Sequence, residues 1–278
     1  MKRRAWLIAG LAVLSFVLAN VVACSSSPAA PPVATQAPES PSCADPAPEM
    51  AANCAALADR VLASTVRLEF HGSSGGIGHA TVIGGRYLVT HNHYPVSGEA
   101  LSRGGDGLIS AVSVLKANGD VILLKAPLAY FSAVLITPET LVLDFHEYSG
   151  VGFFDSLGVA SAEPGRIADL NLQPGSEVAQ IDWDLTTTRV IWARITAAYV
   201  TDGAPCVELD SYVEKGASGG GVFYKGIHIA NNQSRNTDRI AATGEVVRQY
   251  SVAALNSESV LALRDGVSEV VLADQGER

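Results

Sequence analysis

From Thr65 onward, apolar residues recur at every second position in short runs, and each run ends at glycine or at a polar turn. Val66-Arg67-Leu68-Glu69-Phe70 is the clearest case. A period of two places alternate side chains on opposite faces of an extended chain, which is a strand and not a helix. Ala80–Ile83 and Arg86–Thr90 make two more short strands around Gly84-Gly85. Ala111–Leu115 and Asp120–Lys125 flank Asn118-Gly119, a dipeptide suited to a tight hairpin because both residues tolerate positive φ. Leu141–Phe145, Glu177–Ile181, Val190–Ala198, Val222–Phe223, Ile227–Asn231 and Gln249–Ala254 continue the series. Helical patterns occur only at the two ends, at Pro48–Ala63 and at Ser257–Arg264. Many short strands with helix at the margins predict an all-β barrel or sandwich. A break near Gly150–Gly165 divides the body into two lobes.

The first residues follow a different rule. Lys2, Arg3 and Arg4 precede an apolar run from Ala5 to Val22, the pattern of an export signal. Val21-Val22-Ala23-Cys24 resembles the lipobox of bacterial lipoproteins. That resemblance implies cleavage before Cys24 and a diacylglycerol on its thiol. Ser25–Ser42 carries only small residues, proline and a few polar groups, so it lacks the apolar surface needed to offset ordering entropy and reads as a tether. The expected organisation is a signal at 1–23 and the lipidated cysteine with its tether at 24–47. The N-terminal helix and first lobe follow at 48–150, and the second lobe with the closing helix at 151–278. Loss of 1–23 removes three cations and no acid, so the formal charge falls from −9 to −12. An acidic chain offers no basic face to nucleic acid and is not drawn to anionic lipid, so the lipid itself must hold it at a membrane.

Of the four cysteines, lipidation of Cys24 leaves Cys43, Cys54 and Cys206. An exported chain permits a disulfide. Cys43–Cys54 is the first expectation and Cys54–Cys206 the second. No cysteine spacing suggests structural zinc.

Two segments carry chemistry. In Gly216-Ala217-Ser218-Gly219-Gly220-Gly221, glycines on both sides of one serine allow a sharp turn that exposes the hydroxyl and nearby N–H groups. Acyl transfer needs both, one as nucleophile and the others to hold the oxyanion. In Leu88-Val89-Thr90-His91-Asn92-His93, a strand ends and histidines follow, where a general base can reach a serine. A competing reading of His91-Asn92-His93 is a shared metal, with His79 or His146 as a third ligand.

Together these segments resemble the chymotrypsin/trypsin-like serine proteases, and most closely the bacterial Deg/HtrA-like branch. The family's Thr-Ala-Ala-His motif falls on Thr90–His93, so His93 takes the catalytic position. Gly-[Asp/Asn]-Ser-Gly-Gly falls on Gly216–Gly220, so Ser218 is the nucleophile. Gly75–Gly78 matches the glycine-rich strand before the histidine, and Lys225–Ala230 the strand that walls the cleft. The resemblance spans Thr65–Arg264. It implies two six-stranded antiparallel β-barrels, a cleft between them, a polypeptide substrate and no cofactor. It also implies an oxyanion hole at the Gly216 and Ser218 N–H groups. Ala217 stands where digestive members carry an aspartate that pairs with a freed N-terminus, so no such activation is expected. Tyr212, six residues before Ser218, and Asn231 fall on the substrate pocket. Without an acid at Tyr212, preference for Lys or Arg is not expected. No PDZ-like domain fits after the closing helix.

The third member of the triad departs from the pattern. The family's aspartate falls on Thr140 or Leu141. Asp144 is the nearest acid within that strand and is the expected orienting carboxylate, with Glu139 just outside the strand and Asp120 after the turn as alternatives. The expected function is a lipid-anchored, extracytoplasmic serine endopeptidase. A catalytically impaired protease fold serving as a binding module is the rival reading.

Overall fold

A computed structural model describes residues 42–72, 75–92, 109–127, 130–145, 152–201 and 203–265. Cys24, His93 and His146 lie outside them, as do the residues 1–23 expected to be an export signal and most of those expected to form a tether. All described residues belong to one unit, Ser40–Arg278.

Helix α1 (Pro48–Ala63) starts with proline at its first turn, where the missing N–H costs nothing, and has Glu49 near the positive end of its dipole. It ends where Ser64 Oγ and Thr65 Oγ1 both donate to the Val61 carbonyl, at 3.1 and 2.8 Å. Its buried face is narrow, with Cys54 and Val61. Val61 packs beside Ile181 and Phe223. Cys43 and Cys54 are disulfide-bonded with Cα atoms 5.5 Å apart. Glu177 receives the Cys43 N–H at 2.6 Å, which ties the start of the folded chain to the second sheet. The bond at Cys54 excludes a Cys54–Cys206 bridge. Cys206 is a buried thiol facing the Ala204 carbonyl and Gln233 Oε1.

The first sheet contains β1 (Thr65–Gly72), β2 (Gly76–Ile83), β3 (Tyr87–His91), β4 (Ile109–Lys116), β5 (Val121–Pro127), β6 (Ser132–Thr137) and β7 (Thr140–Asp144). Their order is β5-β4-β1-β2-β3-β7-β6. Val66, Leu68 and Phe70 point to one side, as their alternation requires, and meet Phe131, Phe145 and Phe154 in one core. Phe131 lies 4.9 Å from Phe145, and Phe154 meets the same ring edge-on at 5.9 Å. Phe154 belongs to a short helix, α2 (Phe153–Ser156). This core extends to Val159, and pairing with the second sheet begins at Glu163 in β8 (Glu163–Pro164).

The second sheet adds β9 (Glu177–Trp183), β10 (Thr188–Thr201), β11 (Ala204–Leu209), β12 (Gly221–Tyr224), β13 (Ile227–Arg239) and β14 (Val246–Leu255). Its order is β12-β9-β10-β11-β14-β13-β8, and β12 also pairs with β13. That last ladder closes six antiparallel strands into a barrel, with β8 added in parallel on β13. The all-β expectation of two antiparallel, barrel-type sheets therefore holds, with the closing ladder seen in the second among the described residues. Each sheet has seven strands among the described residues, with six of them in the closed ring of the second. Helix α3 (Glu258–Ala262) and a 3₁₀ turn at Leu263–Asp265 return to the first sheet, where Val260 and Leu263 pack on Ile83, Tyr87, Val89 and Val142.

Candidate active site

The Ser218 loop is held almost wholly through its backbone. The Glu214 N–H donates to Asp182 Oδ1 at 2.8 Å, and Asp182 is itself buried and bound by Arg189. Ala217 N–H donates to the Glu214 carbonyl at 3.1 Å. Gly216 has φ +106°, so the turn from Glu214 to Ala217 is of the kind that demands glycine at its third position. A Cβ on Gly216 would lie 2.7 Å from the Trp183 ring, so only glycine fits against that indole. Beyond the serine, Gly219 N–H donates to the Asn232 carbonyl at 2.8 Å and Asn232 N–H to the Gly220 carbonyl at 2.8 Å. The Asn232 side chain donates to the carbonyls of Ile181 and Ala217, at 2.7 and 3.1 Å. Ser218 is thus carried on a fixed turn and is itself half-buried.

Two contacts bring this turn to β2 and β3. The His79 N–H donates to the Ser218 carbonyl at 2.9 Å. Gly219, with φ +78°, lies so close to β3 that a Cβ there would sit 2.0 Å from Thr90 Oγ1 and 3.1 Å from the His91 N. The serine motif and the strand that leads to His93 therefore abut, although they are more than 120 residues apart in sequence.

The acids separate along the β3–β7 ladder. His91 pairs with Thr140, and Tyr87 pairs with Asp144 at the other end. Arg86 donates to both Asp144 oxygens, from Nε at 2.5 Å and Nη2 at 2.6 Å. Asp144 was expected to orient the histidine. It instead stands at the end of the ladder remote from His91, and both its oxygens serve Arg86. Glu139 occupies the near end. Its Oε2 lies 3.0 Å from His91 Nε2, and its carbonyl accepts the Asn92 N–H at 3.3 Å. Asp120 remains on the exposed β4–β5 turn, 2.9 Å from Asn118 Nδ2.

An open depression of about 110 Å³ lies beside Ser218, between Val213–Lys215 and Asn232–Arg235. Glu214 and Arg235 pair across it at 2.9 Å. Tyr212 lies behind, with the Arg235 guanidinium 5.3 Å from its ring centroid. Asn231, expected in the pocket, faces away. Its Oδ1 lies 3.2 Å from the buried His228 Nε2, because successive strand residues alternate and it is Asn232 that looks toward the serine.

His79 entered the sequence reading only as a metal ligand. Here its Nδ1 is 2.9 Å from the Gly216 carbonyl and its Nε2 is 2.9 Å from Thr188 Oγ1. Burial pushes the imidazole down to about 4, with the Gly216 bond opposing that shift and Arg67 adding to it. The only sequence hint of this role is a polar residue standing directly before the strand stretch Ala80–Ile83.

No family model matches the sequence, and no curated protein matches it. Solved structures do resemble the fold. An HtrA-type protease, AlgW, solved with a tripeptide, superposes with a TM-score of 0.54 at 14% identity, over 78% of this chain and 64% of that one. A form of AlgW solved with a decapeptide gives 0.50 at 15% identity, over 78% and 66%. Deg5 gives 0.50 at 17% identity, over 68% of this chain and 87% of its own. The chain has a trypsin-like protease fold. At these identities the likeness is one of architecture, and the chain spans less than two thirds of the AlgW chain.

Proposed function

We propose that this protein is a serine endopeptidase that cleaves polypeptides through an acyl-enzyme at Ser218. The observation that carries the reading is the close approach of Gly219 to Thr90 and His91, which sets the serine turn against the strand leading to His93. In the reaction, Ser218 Oγ attacks the scissile carbonyl carbon while His93 takes its proton. The N–H groups of Gly216 and Ser218 hold the oxyanion, and the C–N bond breaks as His93 protonates the leaving amine. Water then attacks the ester, and Ser218 regains its proton. Among the described residues Gly216 N–H has no acceptor, which leaves that donor for the substrate. Glu139 is assigned the orienting carboxylate in place of Asp144, since its Oε2 meets His91 and its carbonyl meets the Asn92 N–H, at the end of the ladder that leads in sequence to His93. The shallow depression holds only a few waters' volume, so a small side chain is expected before the scissile bond.

The chain is further proposed to act outside the cytoplasm, anchored to a bacterial membrane by a lipid on Cys24. The lipobox-like Val21–Cys24 and the small-residue tether support this. A fluorophosphonate probe tests the chemistry: the full chain labels at Ser218, and Ser218→Ala does not. Absence of label on the folded wild type overturns the enzyme reading in favour of a binding module. Detergent phase partitioning tests the anchor, which Cys24→Ala moves to the aqueous phase.

A further inference from the structure

His79 sits in β2 of the first sheet but spends its side chain on the second. Its ring bridges the Gly216 carbonyl and the Thr188 hydroxyl, both at 2.9 Å, and lies 5.7 Å from the Trp183 ring. The residue is fully buried. A carbonyl only accepts, so the bond to Gly216 requires the proton on Nδ1. The Thr188 hydroxyl is then free to donate to Nε2. Both partners are satisfied by one neutral tautomer. Arg67 and Asp182 are the charged groups around the ring, and burial with Arg67 keeps it neutral well below neutral pH.

Gly216 needs such a partner. Glycine visits positive and negative φ about equally, so the residue that permits this turn does not by itself choose its sense. The Gly216 Cα joins two peptide planes. One carries the Gly216 carbonyl, the other the Gly216 N–H. Trp183 holds the Cα from one side. The imidazole on the Gly216 oxygen and the Ala217 N–H on the Glu214 carbonyl hold the two ends of the carbonyl plane, and that leaves the N–H plane a single free rotation. We propose that His79 is a positioning residue for acyl transfer, fixing the Gly216 carbonyl from the neighbouring sheet so that the Gly216 N–H stays aimed at the oxyanion. The inference rests on the serine endopeptidase reading for its chemical consequence, but the hydrogen bond itself does not.

Two measurements separate these. In the wild-type full chain, long-range ¹H–¹⁵N correlation of the His79 ring reports the tautomer. Protonated Nδ1 and bare Nε2 are expected at neutral pH, and the reverse tautomer overturns the proposal whether or not the protein is an enzyme. Variants then test the consequence through fluorophosphonate acylation of Ser218. His79→Phe keeps the ring volume and the backbone bond to Ser218 but loses the donor. It is expected to acylate about 10²-fold more slowly with unchanged reversible binding of the probe, the loss typical of an oxyanion donor. His79→Asn keeps an N–H near the Nδ1 position and is expected to recover to within about tenfold of wild type. A folded His79→Phe that acylates at the wild-type rate overturns the proposal, as does a folded His79→Asn no faster than the Phe variant. If the wild type itself never labels, the endopeptidase reading falls and the tautomer alone decides the hydrogen bond. If His79→Phe does not fold, His79→Asn and the tautomer decide.

Discussion

Both oxygens of the Asp144 carboxylate are bound by Arg86, and the pair stands four residues along β7 from the point where Thr140 faces His91. A strand advances about 3.3 Å per residue, so the carboxylate is displaced by about 13 Å from the end of β3 that leads to His93. The two acids of this hairpin should therefore separate in experiment. Asp144→Asn leaves a half-buried guanidinium with a weaker partner and is expected to cost about 1–3 kcal/mol of stability, with kcat unchanged. Glu139→Gln is expected to leave the fold intact and lower kcat by about 10⁴-fold, the penalty for an imidazole that loses its orienting carboxylate. Urea denaturation and single-turnover peptide cleavage on both variants check the assignment. It fails if Asp144→Asn is the catalytically silenced one.

Gly219 carries the junction between the sheets. A Cβ there would meet Thr90 Oγ1, His79 O and the His91 N, two of which are backbone atoms that lack freedom to move. The φ of +78° adds the usual left-handed penalty for an L residue. Gly219→Ala is expected to cost about 2–4 kcal/mol and to push the serine turn off β3. Gly119 has φ +94° and open space around it, so Gly119→Ala pays only the backbone term, about 1–2 kcal/mol. Thermal melts of the two variants should show the difference. Equal losses would mean that the Gly219 contact is not a tight one.

The distribution of what could be read in advance follows the range of the forces involved. Pro48 and the polar Ser64-Thr65 pair bound α1 locally, and the helix spans the residues their spacing predicts. The Asn118-Gly119 hairpin is equally local, and β4 pairs β5 around it. Strand β11 was not anticipated, because Pro205 interrupts its pattern. In the barrel Pro205 lies just outside the β11–β14 ladder, which starts at Cys206, so its missing N–H costs no bond there. Strand β6 lacks alternation and forms because β7 offers it an edge. The serine turn could be read because four glycines, Gly216 and Gly219–Gly221, mark it. Arg86 as the partner of Asp144 leaves no trace in the pattern, and His79 as the partner of Gly216 shows only as a polar residue ahead of a strand. Those contacts join residues 58 and 137 positions apart; the first exists only once β3 has paired with β7, the second only once the two sheets have met.

The Cys43–Cys54 bond closes a loop with a sequence separation of 11. Chain entropy for a loop of that size gives a stabilisation of about 2–3 kcal/mol. The bond acts on α1 and on the Ser42–Cys43 segment that Glu177 holds. Cys43→Ser is therefore expected to loosen the helix before the barrels. Amide hydrogen exchange should rise first across Pro48–Ala63, while Val66–Phe70 keeps its protection. Uniform loss of protection would show that α1 and the first sheet unfold as one unit.

Two buried histidines, His79 and His228, are expected to make the fold sensitive to acid. His79 and His228 are both pushed down to about 4, in each case chiefly by burial, with the Gly216 bond opposing the shift at His79 and the Asn231 bond opposing it at His228. In the unfolded chain a histidine titrates near 6.5. Between 6.5 and 4 the unfolded state therefore binds more protons than the native one, and stability rises with pH. The contribution is complete above about 6.5 and is lost as the pH falls toward 4, on the order of 3 kcal/mol for each ring. Unfolding free energies measured from pH 7 to pH 4 should fall accordingly. His79→Asn and His228→Asn should each flatten that slope, since neither amide titrates. His79→Asn should in addition alter acylation at neutral pH, whereas His228→Asn, in the wall of the second barrel, should not. A slope unchanged in both variants would place the acid sensitivity in the carboxylates instead.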